Sequence, residues 1–417
     1  MNRYILVLFY FFSLNSLAQD NSMFQFDLFN LNNSSSFFNS DTVLGIPFFS
    51  DHELQFMTKN SLNEFFVFDE NNLIIDFSDF IDSRNNLSSK FFAENNLLYF
   101  GFPKGESYYS FGFKYSSYFD LNISNELINL FWNGNSQYAD DIVSFKNNSS
   151  SLLQFSSLFF QYSSNLFKDF RFGARVSLLH GVNFFNLDRG NFSLQSFFQS
   201  TTPFASLINT DILYQSSNAS IFGFSNPGLA INLGFEYILN KLKFSVDIQN
   251  LGFIFWHKNS SQNQSEGTHF FDGVHYTMNQ IFSEEINSSL DTLEDIFALK
   301  RTSSNSFFSK IPMRINLNTT YIYRPSTSFF IDYYALQNNT SGYTHNAFFG
   351  ISKLFRQRTI LKTAYGLNNY SFYNIQFSIS RKFKDLLINF NTNNLLSIFN
   401  LRETNYLSFQ SGIYYFF

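Results

Sequence analysis

Residues 312–323 read PMRINLNTTYIY, and they alternate. Ile315, Leu317, Thr319, Tyr321 and Tyr323 fall at one parity, and Arg314, Asn316, Asn318 and Thr320 at the other. In a β-strand those two sets lie on opposite faces of the sheet. The same period of two runs through GLAINLGFEYIL at 228–239. There Leu229, Ile231, Leu233, Phe235 and Tyr237 oppose Asn232, Gly234 and Glu236. It recurs in KFSVDIQN at 243–250 and in RFGARVSL at 171–178. Strand signals place such segments near 42–50, 96–104, 107–116, 152–163, 168–180, 229–239, 242–252, 312–323, 327–337, 345–354, 358–367, 371–381, 384–393 and 406–417. Most have the length that a tilted strand needs to cross a bilayer.

The start of the chain adds a direction. Arg3 precedes an apolar stretch from Tyr4 to Leu14, and Ser16-Leu17-Ala18 fits a small-x-small cleavage site. Residues 1–18 therefore read as a cleaved signal peptide. No run of 18 apolar residues follows, because polar residues interrupt every apolar stretch. An exported chain of this kind has no transmembrane helix, and its membrane option is a closed barrel. Only 14% of residues are charged while 21% are aromatic, so Phe, Tyr, Asn and Ser have taken the place of charge. The net charge of −5 and the lack of a long basic patch point away from nucleic acid. The chain has no cysteine, which excludes disulfides, a thiolate nucleophile and a lipidated N-terminal cysteine.

The connections sort by length. Lys382-Phe383, Arg324 to Ser326, Asn240-Lys241, Asn165 to Phe167 and Gly105-Glu106 are short. Between them lie longer stretches at 394–405, 338–344, 253–311, 181–228, 117–151 and 51–95, with 368–370 a short exception. Short turns on one side and long loops on the other form the outer-membrane barrel pattern, with the short side periplasmic. The expected fold is all-β: a transmembrane antiparallel β-barrel of about 14 strands (range 12–16), with short helices in long outer loops. The expected division is signal peptide 1–18, a periplasmic N-terminal segment or plug at 19–41, and an outer-membrane barrel at 42–417. A soluble sandwich or propeller would also alternate. It would need neither the leader, nor the aromatic last strand, nor the one-sided loops.

Charges on the inward parity are the candidate lumen residues: Lys114, Arg171, Arg175, Glu236, Lys243, Asp247, Arg314, Asp332 and Lys362. Charge near mid-depth is costly against lipid, so these side chains should point into the lumen. They would either line a weakly cationic channel or ligand site, or pair with one another and fill a narrow barrel. The six histidines match no short metal motif, and no metal or cofactor is expected. No G-x-S-x-G and no phosphate-cradling glycine loop is present, so the chain is read as no enzyme. Ile286, Leu290, Leu293 and Phe297 recur at helical spacing in one long loop, and SNELINLFWNGN at 124–135 reads as a second loop helix. In that helix Trp132 is a candidate binding anchor or an interfacial aromatic.

The last strand carries Leu407, Phe409, Ile413, Tyr415 and Phe417 on one face. It resembles the C-terminal signal of bacterial outer-membrane barrels, which implies handling by the barrel-assembly machinery. With its Ala18-Gln19 junction, LINLFWNGN at 127–135, DFRFGARVSLLHGV at 169–182 and IQNLGFIFWHKN at 248–259, the chain resembles a family of uncharacterised outer-membrane proteins from Bacteroidota. More remotely it is similar to the FadL-like barrels, which include long-chain fatty-acid transporters and the PorV component of the type IX secretion system. That likeness implies fourteen strands, an N-terminal plug and FadL-like uptake of a hydrophobic or small solute. The chain departs from the pattern near its mature N-terminus. FNLNNSSSFFNS at 29–40 has no proline where FadL-like members carry Asn-Pro-Ala. The alternative function is a structural barrel that docks a secretion, gliding or surface-attachment partner. Outer-membrane lipid is the expected surrounding in either case.

Overall fold

The computed structural model describes residues 42–61, 64, 66–69, 72–138, 141–198, 203–221, 223, 225–271, 300–303, 306–337, 342–356 and 358–417. The leader at 1–18, the segment at 19–41 and the helix read at 286–297 lie outside the described residues.

Fourteen staves close an antiparallel barrel. The first is broken into β1 (Val43–Gly45) and β2 (Asp51–Thr58). The others are β3 (Leu87–Lys104), β4 (Ser107–Ile123), β5 (Ser149–Phe167), β6 (Phe170–Phe198), β7 (Pro227–Leu239), β8 (Leu242–Trp256), β9 (Arg314–Arg324), β10 (Thr327–Gln337), β11 (Tyr343–Phe355), β12 (Thr359–Asn368), β13 (Asn374–Phe383), β14 (Leu386–Thr392) and β15 (Tyr406–Phe416). Each pairs with its neighbours in sequence. The seam closes where Val43 faces Phe416 and His52 faces Ser411. Closure leaves the barrel proper without a free edge, so the spanning backbone satisfies its hydrogen bonds internally.

The period-two pattern is what sorts the two faces. Along β7, Ala230, Asn232, Gly234 and Glu236 are buried, while Leu229, Ile231, Phe235 and Tyr237 are exposed. Exposed apolar side chains ring the barrel, including Leu158, Val176, Phe244, Leu317, Ile331, Phe349 and Ile388. An apolar outer surface facing a polar interior is the arrangement lipid demands. Near the short turns the exposed residues are mostly aromatic: Phe167, Tyr237, Tyr321, Tyr323, Phe329, Phe383 and Tyr415. Rings of this kind favour the membrane–water interface.

Several staves run far beyond the bilayer. β6 has 29 residues, whereas roughly 9–11 suffice to cross. Segments read from the sequence as loop at 51–95 and 117–151 are therefore partly strand: β2, the first part of β3, the end of β4 and the start of β5. The upper part of β6 pairs with strand Pro203–Asn218, which pairs in turn with Ser261–Phe271, forming an extramembrane sheet. By contrast β12 to β15 have 7–11 residues each, so the wall is tall on one side and low on the other.

The loop helices are short: α1 (Ser78–Ser83), α2 (Asn125–Asn133) and α3 (Leu395–Phe399). Phe80 and Ile128 pack α1 against α2. The latter ends at Gly134, whose φ of 77° an L side chain would adopt only with strain. Trp132 sits edge-on to Phe77, with ring centroids 5.2 Å apart, and stays 44% exposed. Among the described residues no helix is long and apolar enough to cross a membrane.

Candidate functional site: a polar belt that closes the lumen

Two irregularities bend the wall. In the first stave, residues 46–50 loop out between β1 and β2. The partner shifts from Gly45↔Tyr414 to His52↔Ser411, so the first stave holds extra residues there. Phe48 and Phe49 turn outward, 67% and 58% exposed, while Ser50 is fully buried. Gly45 and Gly412 make room for Ser50; a Cβ at either would collide with it. The second irregularity is at Asn250 of β8. This residue has a φ of 61°, and the register against β7 shifts there. Opposite it, Pro312 offers no N–H, and pairing of β8 with the chain lapses between Lys310 and Arg314. Bulges bend strands and sharpen local twist.

These bends bring opposite walls together. Arg314 Nη1 donates to Glu53 Oε2 at 3.0 Å. Glu53 belongs to the first stave and Arg314 to the eighth, half-way around the barrel in either direction. Fourteen strands spaced ~4.8 Å apart and tilted ~40° would enclose a circular section about 28 Å across. Fully extended Arg and Glu side chains joined at 3.0 Å hold their Cα atoms no more than about 15 Å apart. The section at this level is therefore flattened to roughly half its circular width. Other contacts cross with the ion pair. Tyr334 of the ninth stave donates to Gln55 Oε1 at 3.0 Å, and its hydroxyl lies 3.0 Å from that of Tyr406 on the fourteenth. Asn250 Nδ2 reaches Tyr118 Oη at 3.2 Å, and Tyr118 donates to Glu94 at 2.9 Å. The Arg314 guanidinium also covers the Tyr334 ring at 4.7 Å.

The remaining charges form layers below this level. Lys114 reaches up to Glu94, which lies beside Glu53 in the belt itself. Arg175 is 3% exposed; its Nε and Nη2 donate to Gln161 Oε1 at 3.0 and 2.6 Å, and its guanidinium lies 4.4 Å from the Phe159 ring. Asp247 is fully buried and accepts from Gln249 at 2.5 Å. Nearest the short turns, Glu236 sits between Arg171 at 3.0 Å and Lys243 at 2.7 Å. Asp332 accepts from Asn318, and Lys362 Nζ lies 5.4 Å from the Phe330 ring. Of the nine charges singled out in the sequence, Lys114, Arg175, Glu236 and Asp247 are buried, and Arg171, Lys243, Arg314, Asp332 and Lys362 are half-buried at the parity of buried neighbours on their strands. Burial of a charge is tolerated when it is paired or hydrogen-bonded; Lys114, Arg171, Glu236, Lys243 and Arg314 are ion-paired, and Arg175, Asp247 and Asp332 are held by side-chain amides.

Sequence reasoning missed Glu53, Glu94, Lys90 and Asp120, because they fall in stretches taken as loop. A signal was there. DHELQFMT at 51–58 buries Asp51, Glu53, Gln55 and Met57 and leaves His52, Leu54 and Phe56 half-exposed. The bulge at 46–50 broke the period just before it. Lys90 and Asp120 pair at 3.8 Å on the loop side of the belt.

Also on that side the lumen turns apolar. Phe92, Tyr118, Phe155, Leu179, Ile254 and Trp256 belong to one buried cluster drawn from β3 to β8, with Ile311 and Leu336 joining it. Trp256 is fully buried and donates its Nε1–H to Ser309 Oγ at 2.8 Å. Among the described residues no three His, Cys, Asp or Glu side chains group as a metal site. On the last stave, Leu407, Phe409, Ile413, Tyr415 and Phe417 lie outward or half-exposed, while Ser408, Gln410, Gly412 and Tyr414 are buried.

A closed antiparallel sheet with an apolar exterior and a paired-charge interior defines a transmembrane β-barrel. Within that class the chain belongs to the family described as "Family of unknown function (DUF5723)", which it matches over residues 36–393. Solved structures similar to it include the Ralstonia pickettii toluene transporter TbuX, at 8% identity and a TM-score of 0.44, covering 93% of this chain and 92% of that one. A Pseudomonas aeruginosa FadL homologue is similar at 9% identity and a TM-score of 0.46, covering 92% and 93%. The Pseudomonas putida toluene transporter TodX is similar at 10% identity and a TM-score of 0.41, covering 94% and 92%. No curated protein matches the chain in sequence.

Proposed function

We propose that this protein is a non-enzymatic outer-membrane barrel that takes up a hydrophobic or small solute, in the manner of FadL-like channels. The observation that supports it most is the apolar cluster inside the wall, set directly above a belt closed by side chains. A water-filled pore has a polar interior throughout. An interior that is apolar above and ion-paired below suits a gated path for a solute with apolar surface. The gate consists of side chains, so it can open by rotamer changes without breaking the sheet. In this reading residues 1–18 direct export, and the outward face of the last stave directs assembly.

The test is solute uptake by cells that lack other apolar-solute channels, because an intact outer leaflet retards such solutes. Cells with the inserted barrel should accumulate at least one of labelled monoolein, oleate and toluene faster than cells without it. Equal uptake of all three, with heat-modifiable barrel confirmed in the membrane, would overturn the proposal.

A further inference from the structure

A cavity of about 70 Å³ lies inside the wall between the eighth to fourteenth staves and the Glu53–Arg314 pair. That volume accommodates on the order of five water molecules. Its lining is unlike the apolar cluster. Gln376, Asn391, Asn393 and Gln410 present amides along one side. They are linked in a chain: Gln376 Nε2 donates to Asn393 Oδ1 at 3.1 Å, Asn391 Nδ2 reaches Asn393 Oδ1 at 3.3 Å and Gln410 Oε1 at 3.4 Å, and Asn393 Nδ2 donates to Tyr406 Oη at 3.1 Å. Opposite stand Tyr334 and Phe348, whose rings stack with centroids 6.4 Å apart. Gln376 is 9% exposed, and its Oε1 is buried without a hydrogen-bond partner. An unsatisfied buried acceptor is costly, commonly about 1–3 kcal/mol, and marks a place where a donor belongs.

The charges at the cavity cancel. Glu53 and Asp332 are balanced by Arg314 and Lys362. Glu53 is committed to Arg314, and Asp332 accepts from Asn318. With two carboxylates and two cations in the lining, the site has no net charge to attract either an added carboxylate or an added ammonium. What the lining offers is several amide donors and acceptors, one acceptor awaiting a donor, and an aromatic face. That set fits an uncharged group bearing several hydroxyls.

We infer that this cavity binds the neutral, polyhydroxylated head of the transported solute, a glycerol- or sugar-like group, and that the adjoining apolar cluster takes its hydrophobic part. The two regions meet at Arg314, whose guanidinium lies 6.0 Å from the Phe92 ring of the cluster. The inference rests on the uptake reading, and it narrows the solute to a neutral amphiphile.

Water-soluble head groups test it without interference from micelles. The full barrel in lipid nanodiscs is probed by saturation-transfer NMR with xylose, glycerol and acetate. Xylose and glycerol should receive saturation with millimolar affinity and compete with each other, while acetate should not bind. Gln376→Leu should weaken xylose binding at least tenfold, and Asn393→Leu should do the same through the linked amides. Folding of each variant is checked by its heat-dependent gel shift. Absence of polyol binding to the folded wild-type barrel would overturn the inference, as would unchanged affinity in a folded Gln376→Leu variant or equal binding of acetate. If Gln376→Leu does not fold, the wild-type comparison of xylose with acetate still decides. These outcomes are independent of uptake. Cells that import monoolein, oleate or toluene through a barrel that ignores xylose would sink the inference and keep the proposed function. A barrel that binds xylose but imports nothing would sink the function and keep the cavity as a polyol site.

Discussion

Removing the Arg314 side chain should show whether the cross-lumen contacts hold the barrel shut. Arg314→Met keeps an apolar stem of similar length and deletes the charge. Its side chain is 15% exposed and that of Glu53 7%, so the pair is largely shielded from water. At 3.0 Å and an effective dielectric of ~20, their Coulomb attraction is about 5 kcal/mol. The variant also loses the Nε bond to Asn316 and the stacking on Tyr334. Glu53 would be left buried and uncompensated, a situation that typically costs 3–5 kcal/mol. Glu53→Gln combined with Arg314→Met removes both charges and should recover most of the loss, to within about 1 kcal/mol of wild type. Urea unfolding of the barrel in lipid vesicles gives these differences. Planar-bilayer conductance gives the second readout, since both the single and the double variant release the walls and should conduct more than wild type. A single variant as stable as wild type and equally non-conducting would refute the idea that this pair pinches the lumen.

Two further outcomes follow from the wall. Deleting Phe416 and Phe417 removes the pairing of Phe416 with Val43 and the Phe417 N–H bond to Thr42, and should sharply reduce the heat-modifiable, membrane-inserted fraction seen on gels. Trp256→Ala empties a fully buried site in the apolar cluster and should lower unfolding stability by about 3–5 kcal/mol, with a matching fall in the urea midpoint.

The barrel was legible because its evidence is local. A period of two survives in Ile315 to Tyr323 or Leu229 to Tyr237 whatever the rest of the chain does, and one-sided turn lengths give the up-and-down order. The tall side of the wall was harder to read. Lys90, Glu94 and Asp120 look like loop residues, because nothing in a short window tells a strand in the membrane from the same strand continued above it. The pinch was not legible at all. Glu53 and Arg314 stand 261 residues apart, and their meeting depends on bulges at 46–50 and Asn250 that look locally like ordinary turns. Parity can say that a charge faces inward; it cannot say which charge faces it.

The ion pair has a consequence for how the chain assembles. Glu53 sits on the stave that starts the barrel, and the last stave must pair with that stave before the wall is complete. Until then nothing holds the first and eighth staves at the distance the bond requires, so the contact forms after the transition state for closure, not before it. Contacts made that late leave the folding rate nearly untouched and act on the rate of escape from the native state. The latch is then a device for longevity: once the seam has shut, it slows the seam's reopening, and the barrel's lifetime in the membrane is set partly by a bond at its centre.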